Sequence, residues 1–257
     1  MSIRYDHRDG LAEIILDRPD VLNSLDAGMA AALIGALRRA EADGARAVML
    51  RGEGRAFSAG RDLRGADPLT EDARAILADV FNPLIQRVAD VAVPTFAAVH
   101  GACLGVGLGI ALACDVIVVA DDARIGSPFA RIGAVLDSGA HLAFAERIGS
   151  HRALELVYTG RLLSGAEAAA WGLVNAAVPA AELVGHVQQM AAEVAAGPTA
   201  AFRQSKAIVR RIAGGGVDLP AVLAAEADAQ GSVAGGADYV EGITAFLEKR
   251  SPTFRGE

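Results

Sequence analysis

Gly105, Gly107 and Gly109 alternate inside an apolar run from Gly101 to Ala113. Free backbone N–H groups at a helix start in such a run can bind an anion or polarise a carbonyl, although close helix packing would use the same glycines. No G-x-G-x-x-G begins in the run, because Ile110 stands where the third glycine would fall, and there is no Gly-Lys-Ser/Thr phosphate loop. A second candidate is Asp137. With Phe129, Val135 and Leu136 nearby, burial would raise its pKa towards a value useful for moving protons. The same aspartate would also serve as the N-cap of a helix starting at Ser138. His141 lies one helical turn further on, where it could face the same place. His100 reads as a satisfied core histidine, and His7, His151 and His186 read as surface residues. No His/Cys/Asp spacing suggests zinc. Cys103 and Cys114 read as buried thiols and not as a disulfide.

The elements that must carry these groups follow from local patterns. Ile3 to Tyr5 and Ala12 to Leu16 form a hairpin around Arg8-Asp9-Gly10. Asp26 caps a helix carrying Met29, Leu33, Leu37 and Ala40, which Gly44 ends. Ala47 to Arg51 and Val116 to Ala120 are buried strands. Phe57 to Leu63 is too short and glycine-broken for regular structure and reads as a loop. A helix runs from Thr70 and is kinked or restarted at Pro83. Val91 to Val99 is a strand that Pro94 pushes towards one end or an edge. The glycine run opens a short helix to Ala113. Beyond residue 120 the chain reads as helical: Ser138 to Ile148, Arg152 to Thr159, a capping box at Ser164 and Glu167, then Ala181 to Ala196, Thr199 to Ile212 and two helices opened by Pro220 and Asp238. A strand-and-helix core over 1–196 is thus expected, followed by a helical segment over 197–257.

Composition bounds the function. The chain has 257 residues, 24 Lys plus Arg against 31 Asp plus Glu, a net charge of −7 and 53% hydrophobic residues. The acidic balance argues against nucleic-acid binding, and apolar runs break well before the ~20 residues a membrane helix needs. With no apolar leader after Met1, the expected compartment is the cytoplasm. Alanine makes up about a fifth of the chain, and only Lys206 and Lys249 are lysines. Arg38-Arg39 and Arg210-Arg211 read as solvated faces.

Taken in order, Arg18-Pro19, Leu22-Asn23-Ser24-Leu25, Phe57-Ser58-Ala59-Gly60-Arg61-Asp62-Leu63, Gly101 to Gly107, Cys114-Asp115, Thr159-Gly160-Arg161, Ala168 to Val174 and Phe246 to Arg250 resemble the crotonase (enoyl-CoA hydratase/isomerase) superfamily over almost the whole chain. The resemblance implies an α/β fold, a spiral of ββα turns with a C-terminal helical segment that builds trimers or paired trimers. It implies an acyl-CoA ligand, with no cofactor beyond the coenzyme A of the substrate. The thioester oxygen would be held by the backbone N–H groups of Arg61 and Val106. Val21, Leu22, Ala59, Asp62, Leu63 and Phe129 would line the ligand, and Phe246 and Lys249 would reach the nucleotide and phosphates, often from a neighbouring subunit.

A hydratase of this family uses two glutamates, and the matching positions here hold Gly109 and Phe129. Several family isomerases carry an aspartate where Asp137 stands. Phe81 to Ile85, Phe129, Arg131-Ile132-Gly133, Asp137 and Asp238 to Phe254 are similar to the 1,2-epoxyphenylacetyl-CoA isomerases, while Leu136, Ala140, His141 and His100 depart from that pattern. The reading is therefore an acyl-CoA isomerase acting through Asp137. A non-catalytic acyl-CoA-binding protein is the alternative, and an aryl-CoA dehalogenase ranks below, since Asn82 stands where that enzyme's histidine belongs.

Overall fold

The computed structural model describes residues 2–257. The hairpin is longer than its apolar pattern suggests: β1 (Ile3–Arg8) and β2 (Leu11–Leu16) pair antiparallel around Asp9 and Gly10, both at positive φ. Next comes α1 (Ala27–Ala42), whose first turn is closed by Asp26 accepting from the Met29 N–H at 2.8 Å.

Three strand pairs follow. They are β3 (Ala47–Gly52) with β4 (Ala56–Ser58), β5 (Thr95–Val99) with β6 (Ala102–Leu104), and β7 (Val116–Ala120) with β8 (Arg124–Gly126). The first strand of each pair joins a six-stranded sheet of order β1-β2-β3-β5-β7-β10, parallel except for β1. The second joins a four-stranded sheet of order β4-β6-β8-β9. Helices follow each pair: α2 (Ala73–Ile76) and α3 (Asn82–Ala89) after the first, α4 (Val106–Leu112) after the second, and α5 (Ala140–Thr159) after the third. Each ββα turn thus lays one strand in either sheet, which is the spiral the resemblance implies. The short strands β9 (Leu163–Ser164) and β10 (Ala176–Val178) flank α6 (Gly165–Ala170), which opens on the expected capping box of Ser164 and Glu167.

Between the layers lies an apolar core that includes Ile14, Leu16, Leu33, Leu50, Phe57, Phe96 and Phe144, all fully buried. At ~1.5–3 kcal/mol for each such side chain, this burial is the main force holding the turns in register. The large sheet is covered by α7 (Leu183–Ala195). Then α8 (Thr199–Ala213) and α9 (Leu219–Val233) pack on each other, and α10 (Ala237–Glu248) precedes the tail. Charged contacts tie α8 to the core: Lys206 pairs with Asp115 at 2.6 Å and donates to the Val93 carbonyl at 2.8 Å, and Arg210 pairs with Asp115 at 2.9 Å. Arg210 is therefore not the solvated residue expected. No helix among the described residues is long and apolar enough to cross a membrane.

Four expectations need correcting. Phe57 and Ser58 lie in β4 and not in a loop, because β6 supplies the pairing that their own length cannot. The glycine run begins as strand β6 and turns into α4 only at Val106. The chain after residue 120 is not all helical, since β8, β9 and β10 close both sheets. And α5 starts two residues after Ser138, with Gly139 in the left-handed region at its N-cap and a break at Gly149. Asp137 is consequently not a helix cap.

Candidate active site

Two glycine-containing loops and one aspartate converge on a cavity of about 570 Å³. The first loop leaves β4. Buried Asn23 pins it, donating to the carbonyls of Glu53 at 2.9 Å and Ala56 at 2.7 Å, while its own carbonyl accepts from Ser58 Oγ at 2.8 Å. Beyond β4 the chain runs beside Leu25 as a parallel bridge. The Leu25 N–H donates to the Gly60 carbonyl and the Asp62 N–H donates to the Leu25 carbonyl, both at 2.8 Å. Groups alternate along an extended chain, so the N–H of Arg61, between them, is directed away from Leu25. Among the described residues it has no acceptor.

The second loop joins β6 to α4. Gly105 has φ 52° and ψ −126°, a conformation open to glycine alone, and a Cβ there would stand 3.4 Å from the Phe129 ring. This sharp turn exposes the first N–H groups of α4, which have no partners within the helix. The Val106 N–H is one of them, and Val106 lines the cavity. Two unspent N–H donors, Arg61 and Val106, are thus held by strand and helix geometry and not by side chains. They can take one carbonyl oxygen and the negative charge that develops on it.

Asp137 is the one carboxylate in the cavity lining. It is half-buried, and burial lifts its carboxyl above the ordinary range; the Ser138 hydroxyl, donating at 2.8 Å, and the charges of Arg61 and His141 pull the other way. His141 itself is exposed and outside the lining. The two positions that the resemblance matches to a hydratase's glutamates, Gly109 and Phe129, carry no carboxylate. A Cβ on Gly109 would stand 2.5 Å from Ser138 Cβ and 2.6 Å from its carbonyl oxygen, and Phe129 fills its place with a ring packed over Gly105.

Of the other residues singled out from the sequence, Ala59, Leu63 and Phe129 line the cavity. Leu22 abuts the lining, its carbonyl accepting from the Ala59 N–H at 2.8 Å, and Val21 is not among the lining residues. Asp62 is turned away and held low by Arg64, which pairs with it at 2.6 Å, and by Arg18 at 3.1 Å, so it fixes the loop. Phe246 and Lys249 are exposed on α10 and its C-terminus, outside the cavity of this chain. Cys103 and Cys114 are buried free thiols, as expected.

One wall was not foreseen. Ala73, Arg74, Leu77 and Phe81 also line the cavity. Pro83 has no N–H to donate, and the helix widens just before it: Leu77–Phe81 forms a π turn, with the Asn82 N–H donating back to the Leu77 carbonyl. Pro83 was the available signal, though it marks a break in the helix and not the face that lines a site.

Residues 6–257 match the enoyl-CoA hydratase/isomerase family model. A Rhodobacter capsulatus protein named "Probable enoyl-CoA hydratase" is 40% identical over 255 residues, covering 99% of this chain and 98% of that protein. The 1,2-epoxyphenylacetyl-CoA isomerase of Escherichia coli is 34% identical over 253 residues, 96% of either chain. Among solved structures, an enoyl-CoA hydratase from Bacillus anthracis superimposes with a TM-score of 0.91 at 31% identity, covering 100% of both chains.

Proposed function

The chain belongs to the enoyl-CoA hydratase/isomerase family, and within it we propose that this protein is an acyl-CoA isomerase, of the ring-epoxide or the enoyl double-bond type, with Asp137 as its proton carrier. One observation carries the reading. The cavity with two unspent N–H donors is lined by a single carboxylate, and the two positions that the resemblance matches to a hydratase's glutamates carry none.

The thioester oxygen sits between the Arg61 and Val106 N–H groups. The Asp137 carboxylate takes a proton from carbon conjugated to the thioester, and the electron pair moves onto that oxygen as an enolate. Two preorganised donors, at ~2.7–4 kcal/mol each, are matched to this charge. The protonated Asp137 then returns its proton to a different carbon, so nothing is added and nothing leaves. Burial raises its pKa above the ordinary carboxylate range, which favours a group that must both accept and release a proton. The apolar wall of Leu63, Leu77, Phe81, Phe129, Ile132 and Val135 supports an apolar acyl group. Exposed apolar residues on the C-terminal helices, among them Val240, Ile243, Phe246 and Leu247, support a trimer or pair of trimers in which a neighbour's Phe246 and Lys249 meet the coenzyme A.

The test is proton exchange between enoyl-CoA and arylacyl-CoA thioesters and deuterated water, followed by mass spectrometry. The wild type should exchange and isomerise, and Asp137→Asn should bind the thioester but do neither. Unchanged turnover in Asp137→Asn, or hydration as the main reaction of the wild type, would overturn the assignment. A wild type that binds but never exchanges would be a binding protein.

A further inference from the structure

Arg61 offers more than its N–H. Arg61 is a residue of the cavity lining whose side chain pairs with Glu71, and the two side chains are 27% and 26% exposed. Glu71 immediately precedes Asp72, the residue whose carboxylate caps α2 at the Ala75 N–H (2.9 Å), and α2 with the π turn forms one wall of the cavity. The Arg61–Glu71 pair is therefore the joint between the donor loop and that wall.

We propose that Arg61 is a positioning residue: its guanidinium, held off by Glu71, faces Asp137 across the cavity and sets the charge against which that carboxylate works. This rests on the reading of Asp137 as proton carrier. Around Asp137 stand Arg61 from the loop after β4, Arg74 from α2, and His141 and the Ser138 hydroxyl from the segment entering α5. Arg61 and Arg74 are the cations of the lining itself, and Arg61 is the one paired with a carboxylate, Glu71, which lies just outside the lining. The clamp gives the arrangement its logic. An unclamped guanidinium could swing onto Asp137 and close a direct ion pair, fixing it as an anion that no longer carries protons. A missing guanidinium would leave burial unopposed, keeping Asp137 protonated to higher pH. Glu71 keeps the cation between these limits.

Substitution can separate the side chain from the main chain, because every residue except proline keeps the N–H. The measurement is the carboxyl-carbon NMR titration of Asp137 in the full-length protein, its resonance assigned by loss in Asp137→Asn. All variants carry His141→Gln, which removes the imidazole's own titration. Relative to that background, Arg61→Gln should move the Asp137 midpoint up by about half a pH unit or more, and Arg61→Lys should restore most of the difference. Glu71→Gln should move it down. The double variant Arg61→Gln/Glu71→Gln should match Arg61→Gln alone, because Glu71 acts only through Arg61. An unmoved midpoint in Arg61→Gln, an upward shift in Glu71→Gln, or additive effects in the double variant would overturn the proposal. Should Arg61→Gln fail to fold, Arg61→Lys with wild-type behaviour and the sign of the Glu71→Gln shift still decide it. If Asp137→Asn keeps turnover while these shifts occur, the isomerase reading falls and the electrostatic coupling stands. If Asp137→Asn is inactive but no shift occurs, only the coupling falls.

Discussion

Gly109→Ala tests the packing that closes the first glutamate position. An added Cβ would lie 2.5 Å from Ser138 Cβ and 2.6 Å from the Ser138 carbonyl oxygen, with Ile85 Cδ1 at 3.1 Å. Carbon atoms settle near 3.5–4.0 Å, so α4 and the Ser138 segment must part by about 1 Å. Ser138 has little room to yield: it is buried, its φ is +56°, and its hydroxyl is bonded to Asp137. Overpacking of this kind costs ~1–3 kcal/mol. Exchanging glycine for alanine within a helix returns roughly 0.5–1 kcal/mol, so the net loss lies between roughly 0 and 2.5 kcal/mol, and the rigid surroundings of Ser138 place it in the upper half of that range. Gly35 is the internal control. It is also helical, in α1, but exposed, and a Cβ there meets nothing within 4 Å. Gly35→Ala should therefore gain roughly 0.5–1 kcal/mol. Urea unfolding followed by circular dichroism, with a common slope, should place the midpoints of the two variants on opposite sides of the wild type. The reasoning is refuted if Gly109→Ala is as stable as the wild type or if both variants shift the same way. Gly109→Glu should consequently not restore hydratase chemistry, because the displaced Ser138 carries Asp137 with it.

Lys206 is largely buried and pairs with the partly exposed Asp115, which Arg210 also holds, and burial lowers the lysine's pKa against the pull of that carboxylate; Lys206→Met should cost about 1 kcal/mol in urea unfolding, and no measurable change would deny the pair its role. Arg250 and the Thr253 N–H hold Glu241 down at about 2, from the ordinary 4.5. The stability it contributes is thus complete above about pH 4.5 and lost as pH falls towards 2, so thermal scans of Glu241→Gln should show a flatter acid dependence than the wild type. Burial pushes the Cys114 thiol up to about 12, and Cys103 is raised by the same cause. Neither should react with a thiol reagent in the native protein, and both should react in denaturant.

Features written in a few consecutive residues were legible from the start: the Asp26 cap, the Ser164 capping box and the apolar run of β7. The short strands were not. β4, β6 and β8 hold three residues each and exist because Ala56 pairs with Ala102 and Cys103 with Ile125, partners far apart in sequence. No local pattern reports such pairing. The site divides in the same way. Arg61, Val106 and Asp137 stood out through the glycine spacing and the ordered motifs. The wall from α2 and the Glu71 clamp depend on how a loop without periodicity returns to the cavity. Asp137 also read as a helix cap, a role that could coexist with chemistry, and the left-handed turn at Ser138 and Gly139 removes it.

The two unspent donors are main-chain groups. In the proposed reading, the hold on the thioester is therefore inherited with the fold and survives any replacement at 61 or 106 except proline. What varies freely is the set of acids around it. Grip and reaction are separable, so affinity for a coenzyme A thioester carries no information about which reaction a chain of this architecture performs. A chain of this architecture could exchange one chemistry for another through a few side chains, together with the packing that makes room for them, without passing through a form that had lost its ligand.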